Sequence, residues 1–598
     1  MKNLSAIAIT IAALLTVGLT STAFAVDVKD AEWGFDGRVI TNEFNILTVM
    51  VNNPSDESVE GVLSLTRSTF GGATVGARIV EPISLGPYQD RMVQFFPYCN
   101  EADGWSLRWG KEKYPVPQPR VGDAETVLLV AADDMTTQGR GMRRFSDERF
   151  PALVSATAGL KTMVIGHVPR WEAPRRRAFM DWLRLGGVVH LLKNDDGEFP
   201  KFVDELAEMN GPLDVQPIES GVVFRHDFST DKMSANAIKQ MNSVRRKFLF
   251  GDVDPDQELA NAAAANGYEM TFYDADNKLF AALKEMTRPD HNWGLIYLLS
   301  FVYIGLIFPG CFLLGRRKVH YLVTYGAILG CVALFSLVFL FVGRRGYGEE
   351  SAVHSVAIVQ QIDSGGDWDV NQFSNVFATA GDTYKLEHQG TGRLYSSCST
   401  SEAVNGEINN GRAGVFTVDI PPFSNRSFAS RMKLRMPPLP VSKIAFEGMQ
   451  KLNRFDLQAG AEFPEKPIAM FVQYRDRFYR MQREGDVLSA RQQSLPLARF
   501  INIEEMNGLG YGVNPWNESD DAEENLRGLW RPLVARHLGV LSETQNNPTS
   551  LKLPQDRARL YVFTEGPDQL KLEGERFEKQ KVLVLYAIDV FRNETNVN

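Results

Sequence analysis

Two pairs of aspartates are the residues best placed to do chemistry: Asp133 with Asp134, and Asp195 with Asp196. Each pair closely follows an apolar run, residues 127–131 and 188–192. If those runs are strands of an open α/β sheet, both pairs fall at strand carboxyl ends, where such sheets bind ligands. Carboxylates gathered there would offer oxygen ligands to Mg²⁺ or Ca²⁺. Aspartate pairs also cap helices and make turns as a matter of course, and no basic or nucleophilic partner accompanies these four. Glu172 with Asp181, and His167 beside Arg170, are the other polar combinations in the segment.

Cysteine chemistry has little to work with. Of the four cysteines, Cys311 and Cys331 lie in apolar runs, where a thiol behaves as a small hydrophobe. Cys99 and Cys398 fall one in each large region, and a disulfide between them would staple those regions in an oxidising compartment. There is no CxxC, HExxH or Cys/His cluster with metal-ligand spacing, and no Gly-x-Ser-x-Gly elbow. The Asp-x-Ser-x-Ser metal motif is also absent. The stretch Gly508, Leu509, Gly510, Tyr511, Gly512 lacks the Lys-Ser/Thr of a phosphate loop. His537 falls on the same side of an expected helix, 526–538, as Leu526, Trp530, Leu533 and Val534, which reads as a packed face.

The elements that would position the aspartates come from alternating strand and helix signals over residues 124–225. Residues 127–131, 160–165 and 188–192 are continuous apolar runs, as buried parallel strands require. Residues 175–185 form an amphipathic helix with Phe179, Trp182, Leu183 and Leu185 towards the core. Gly186 and Gly187 stop it, because glycine enters the left-handed conformation without steric cost. Strand, crossover helix and strand in this order predict an open α/β sheet.

The run from Arg175, Arg176, Arg177, Ala178, Phe179, Met180 and Asp181 through Trp182, Leu183, Arg184, Leu185, Gly186, Gly187, Val188 and Val189 resembles class I glutamine amidotransferase-like domains, including trehalose-utilisation-type members. The resemblance covers about a sixth of the chain and implies a flavodoxin-like, amidotransferase-like fold. Active members carry a cysteine nucleophile on a strand-to-helix elbow with a histidine base, an arrangement that activates the thiol. No cysteine occurs between Gly122 and Pro289, so His167 and His190 have no thiol partner and the domain is expected to be non-catalytic.

Membrane signals frame this domain. A short basic start, an apolar stretch at 7–19 and the small-residue site at Ala23, Phe24 and Ala25 read as a signal peptide over residues 1–25. Two apolar runs, 293–314 and 321–342, are each long enough to cross a hydrocarbon core of about 30 Å. Arg316, Arg317 and Lys318 between them force a hairpin and suit a cytoplasmic turn. Arg288, Arg344 and Arg345 do not follow that charge rule, so orientation rests on the signal peptide and on hairpin parity. Neither run holds Asp, Glu, Lys or Arg, which argues against an ion path. Pro309 with Gly310 is expected to bend the first helix near its end.

At 598 residues the chain exceeds one hydrophobic core, and a net charge of −9 leaves no basic face for nucleic acid. Turn-separated strand signals predict a β-sandwich over 26–120 and another over 347–455. A connecting helical segment over 226–292 and a C-terminal α+β domain over 456–598 complete a multidomain α+β membrane protein. The expectation is an exported, membrane-anchored binding or scaffolding protein of the bacterial inner membrane, with both large regions periplasmic. Its architecture resembles membrane proteins associated with MoxR-type ATPase systems, which implies other envelope proteins as partners. The alternative is an exported metal-dependent enzyme using the four aspartates.

Overall fold

Residues that precede the apolar helices share a sheet with residues that follow them. This computed structural model describes residues 26–592 apart from 100–103, 123–124, 132–141, 251–274, 287–292, 317–319, 347–350, 399–401, 497–528, 539–552 and positions 36, 70, 71, 195, 575 and 578. The expected signal peptide therefore lies outside the described residues. Strands Asp27–Trp33, Leu47–Asn52 and Asp90–Phe95 form a small antiparallel sheet. Facing it is a seven-stranded sheet in the order Glu112–Pro115, Gly104–Trp109, Val59–Ser68, Thr74–Leu85, Ala403–Asn409, Val415–Ile420, Asp382–Leu386. Leu47, Val49 and Phe95 from one sheet and Leu63, Leu65, Ile408, Phe416 and Val418 from the other fill one core.

The expected self-contained sandwich over 26–120 is thus corrected: residues 382–420 complete it. Without them Thr74–Leu85 would be an edge strand, presenting a row of unpaired backbone groups to any passing chain. Ala403 pairs in parallel with Gly76, and Ile408 with Ile79, while Arg78 and Glu407 form an ion pair beside the seam.

The α/β sheet matches its expectation. Its order is Arg143–Ser146, Glu125–Val130, Leu160–Ile165, Val188–Lys193, Gly221–Ser229, Val215–Ile218, parallel except for the last pair. Alternation sends Val127 and Leu129 to one face and Leu128 and Val130 to the other. Helix α1 (Ala173–Arg184) packs Phe179, Trp182 and Leu183 on the first face, and Met241 of α2 (Ala235–Phe250) covers the second.

The glycine stop is a Schellman cap: Gly187 N–H donates to Trp182 O at 3.1 Å, and Gly186 N–H to Leu183 O at 3.0 Å, with Gly186 at φ +116°. Gly221 lies against the same cap, so close that a Cβ there would sit 1.9 Å from Leu183 O and 2.8 Å from Gly187 O. Both obstacles are backbone and cannot rotate away. Gly221→Ala is expected to cost about 3 kcal/mol through forced separation of helix and sheet. Thermal denaturation checks this; a melting temperature equal to the parent's would show that the cap yields freely.

The expected connecting segment is more than a connector. Helix α3 (Ala275–Met286) buries Leu279 and Leu283 completely and sets Phe280 edge-on to Phe373 at 5.7 Å. Beyond it, α4 (Trp293–Gly305) passes into a π-helical turn, Leu306–Gly310, before α5 (Cys311–Arg316). Pro309 sits inside that turn, where its missing N–H disrupts the regular ladder. Helix α6 (Tyr321–Gly346) lies beside α4, with Tyr303 5.1 Å from Phe335 and 6.5 Å from Phe339 between ring centres. Among the described residues one helix, Tyr321–Leu340, is long and apolar enough to cross a membrane; Gly294–Gly310 is apolar but shorter.

The expected boundary near residue 455 is corrected too. One eleven-stranded sheet runs through it, in the order Thr391–Ser396, Ser424–Arg435, Asp367–Ala378, Ala352–Gln361, Lys579–Phe591, Arg557–Glu565, Ala469–Tyr474, Arg477–Glu484, Val487–Pro496, Leu452–Ala459, Val441–Gly448. The pairing of Ala352–Gln361 with Lys579–Phe591 is parallel and brings the last of the described strands to the middle. Trp368, Phe446, Phe455, Val472, Leu560 and Val584 share its core, which no cut at 455 could leave intact. Helix α7 (Trp530–His537) packs Leu533 and Val534 onto the other face.

Candidate functional site

Of the four aspartates, Asp133, Asp134 and Asp195 lie outside the described residues. Asp196 is exposed in a tight turn after Val188–Lys193 and accepts a long bond from Asn194 Nδ2 at 3.5 Å. Asn194 Oδ1 accepts from Glu198 N–H at 2.9 Å, and Gly197 supplies φ +79°. This residue makes a turn. At the neighbouring strand ends Asp147 is buried, with His167 Nε2 3.7 Å away and Arg170 N–H donating at 3.4 Å. Among the described residues no three His, Cys, Asp or Glu side chains gather as a metal site would require.

The expected Cys99–Cys398 disulfide is corrected: both carry thiols. Residues alternate faces along a strand, so Tyr98 and Cys99 point opposite ways. Cys99 enters the sandwich core and its thiol approaches Pro97 O at 3.8 Å. Tyr98 enters the other core, on the side where Cys398 packs. Burial, reinforced by the Asp276 charge, pushes the Cys398 thiol up to about 12, so it stays protonated and is no nucleophile.

What the fold does assemble is a buried ionic cluster around Arg536 of α7. Its side chain is 2% exposed and lies between Glu43 Oε1 at 3.2 Å, Asp276 Oδ1 at 3.6 Å and Tyr98 Oη at 3.2 Å. Tyr98 Oη also donates to Asp276 Oδ2. Glu43 reaches onward to Arg431 at 3.5 Å, and Arg431 grips Asp369 at 2.8 Å. Burial opposes the Arg536 charge, but Asp276, Tyr98 and Glu43 outweigh it and hold its pKa above the ordinary value. Burial raises the Asp276 carboxyl, with Arg536 pulling it down, and lifts Tyr98 well above the phenol range. The cluster joins the sandwich, α3, α7 and the large sheet.

A second cluster lies on the next residue of α7. Asp589 accepts from Arg559 Nε at 2.6 Å and Nη2 at 3.0 Å, from Arg557 at 3.3 Å, and from Ser220 Oγ at 2.6 Å. Burial opposes its charge, yet these partners hold the carboxyl well below the carboxylate range. Ser220 belongs to the tight turn of the α/β sheet, so this cluster bolts that sheet to the large one. Arg559 also reaches His537 Nε2 at 3.2 Å, so the histidine is buried beside a cation. Burial, then Arg559, pushes His537 down to about 3. His537 is thus core, as its spacing predicts.

Neither cluster contains a competent nucleophile or an open metal position; both are clamps. Sequence reasoning missed Glu43, Asp276, Arg536, Arg557, Arg559 and Asp589. The signal lay in single charges inside strongly apolar strands, as with Arg559 before Leu560 and Asp589 after Ile588. A cleft of about 450 Å³ between Glu219 and the turn at Asp363, Ser364 and Gly365 is lined with carboxylates that surround Arg184. Arg184 Nη1 lies 3.8 Å from Asp363 and 3.9 Å from Asp181, so the guanidinium is shared between them.

No protein-family profile matches the chain, and no curated protein does. Among solved structures, it is similar to a two-domain M1 zinc metallopeptidase bound to L-tryptophan, with 10% identity over 25% of this chain and 41% of that one, at a TM-score of 0.12. An M1 zinc metallopeptidase from Deinococcus radiodurans gives 8% identity over 25% of this chain and 40% of that one, also at 0.12. The matches span about two fifths of those proteins, and at such scores the likeness carries no argument about fold or activity.

Proposed function

We propose that this is an exported, membrane-anchored binding or scaffolding protein of the bacterial envelope, held in the inner membrane by a two-helix hairpin with both large regions periplasmic. The observation that carries it is the pairing of Gly76 with Ala403 and Ile79 with Ile408, across the apolar helices. Regions sharing one sheet lie on one side of a bilayer, so the chain between them crosses an even number of times. Residues 293–316, helical with one π turn, supply the second crossing beside α6. The π turn and Pro309 lower the helix's regularity without adding any charge to it.

The α/β domain is a non-catalytic amidotransferase-like module in this reading, supported by the absence of a cysteine between Gly122 and Pro289. Its tight bolting to the large sheet through Ser220 and Asp589 suits a rigid platform for other envelope proteins, a MoxR-type ATPase-associated system among them.

Anchorage is tested by cysteine labelling in intact cells. Glu60→Cys, on an exposed strand position, is expected to react with a membrane-impermeant maleimide, whereas Arg317→Cys reacts only after the inner membrane is opened. Equal labelling of both in intact cells would end the hairpin reading. The scaffolding role is tested by crosslinking in native membranes with mass spectrometry; recovery of no reproducible envelope partner would refute it.

A further inference from the structure

Five residues separate the last residue of α6, Gly346, from strand Ala352–Gln361. That link reaches at most about 22 Å. One end of the large sheet is therefore tethered to wherever α6 leaves its surroundings. Ala352 at that end pairs with Phe377, Phe377 with Asn425, and Ala378 with Ser424. The residue before Ser424 is Phe423, two strands or about 10 Å to the side of Ala352. Ser351 Oγ, 3.2 Å from both Thr379 N and Thr379 Oγ1, fastens the link between Asp367–Ala378 and Asp382–Leu386 to the tether.

Phe423 is unusual in its backbone and in its surroundings. It stands at φ +55°, a conformation that bulky residues seldom adopt, with 54% of its surface exposed. Pro421 and Pro422, both exposed, precede it. Pro422 packs on Gly381 so closely that a Cβ on the glycine would lie 2.7 Å from its ring, and Ser424 Oγ closes the loop on Pro421 O at 2.7 Å. The loop thus leaves an apolar aromatic about half exposed against its backbone preference, a cost that persists where the surrounding structure imposes it.

We propose that the Pro421, Pro422, Phe423 tip is a lipid contact, inserting the Phe423 ring into the membrane interface beside the exit of α6. The proposal rests on the reading of α4 to α6 as membrane-spanning. The molecule carries its own control. Tyr88 has φ +53°, 69% exposure and a preceding proline, yet it follows Leu85, the end of Thr74–Leu85 remote from the seam with Gly76 and Ala403. That seam is at the tethered end, because Asp382 pairs with Ile420, directly before the tip.

The test places a photoreactive benzoylphenylalanine at position 334, 423 or 88 of the full chain in nanodiscs of phosphatidylethanolamine and phosphatidylglycerol, with lipid adducts read by mass spectrometry. Position 334 lies in α6. Adducts are expected at 334 and 423, with the yield at 423 about tenfold that at 88. Adducts at 334 with 423 no higher than 88 would overturn the lipid contact and leave the anchor standing. No adduct at 334 would overturn the membrane reading itself, and this inference with it.

Discussion

Lowering the pH from 7 to 4.5 is expected to drop the melting temperature by roughly 5 °C through histidines that the fold holds neutral. Burial, then Arg393, pushes His388 down to about 3. Burial, then Arg559, pushes His537 to about 3, and burial, then Lys581, pushes His354 to about 4. For His388 and His537 the local bonding explains why no proton is accepted. Gln372 Nε2 lies 3.2 Å from His388 Nε2, while Nδ1 meets Tyr395 Oη at 3.2 Å. His388 Nε2 therefore accepts, and a proton there would face an amide donor. Arg559 donates to His537 Nε2 in the same way.

The sign follows from linkage. Each folded pKa lies below the unfolded value of about 6.5, so the unfolded chain binds the protons and stability falls as pH drops through that value towards the folded one. At pH 4.5 each histidine contributes a loss of about 2–3 kcal/mol, roughly 8 kcal/mol together. Burial raises the carboxyls of Asp181, Asp276 and Glu219, which work in the opposite sense and offset part of this. Net proton uptake on unfolding between pH 6.5 and 5 is the signature, and His537→Gln should reduce it by about one proton. A melting temperature unchanged between pH 7 and 4.5 would show that these histidines charge freely in the folded state.

How far the fold was legible depended on how local its determinants were. The strands at 127–131, 160–165 and 188–192, and the helix stopped by Gly186 and Gly187, carry their evidence of burial within a few residues. Strand Asp367–Ala378 does not, because Gln372, Ser374 and Asn375 are buried polar residues that break the apolar pattern. Their partners, such as Ser355 Oγ 2.8 Å from Ser374 Oγ, come from another strand. The hairpin of Arg477–Glu484 and Val487–Pro496 is hidden by its arginines, although Gly485 at φ +64° marks its turn. The second partner of Thr74–Leu85 lies beyond helices α1 to α6, and strand pairing at that distance leaves no periodic trace in either segment. The same holds for the site. Asp133 and its neighbours attracted attention because they are adjacent in sequence, whereas Glu43, Asp276 and Arg536 become a cluster only when three distant segments meet.

Arg536→Met is expected to cost about 4 kcal/mol, the penalty of leaving buried carboxylates without their cation. Methionine fills much of the space, so the loss reports charge more than cavity. Its pH dependence separates this cause from simple misfit. Without the guanidinium, burial raises the Asp276 carboxyl further, and the folded state binds a proton more tightly than the unfolded chain. For a carboxyl raised in this way the cost is absent below the unfolded pKa of about 3.9 and grows as pH rises towards the folded value. The gap between variant and parent should therefore widen as pH rises from 5.5 to 8, the reverse of the histidine trend that both share. Asp276→Asn removes the orphaned charge, so the double variant should be less destabilised than the two single changes summed, a coupling of about 1–3 kcal/mol. A pH-independent gap, or strict additivity, would reduce Arg536 to a packing residue. The choice matters for the apolar helices, because Asp276 stands in the first turn of α3, the helix that precedes α4. Releasing that carboxylate loosens the seat of α3 on the large sheet, from which the chain runs on into α4.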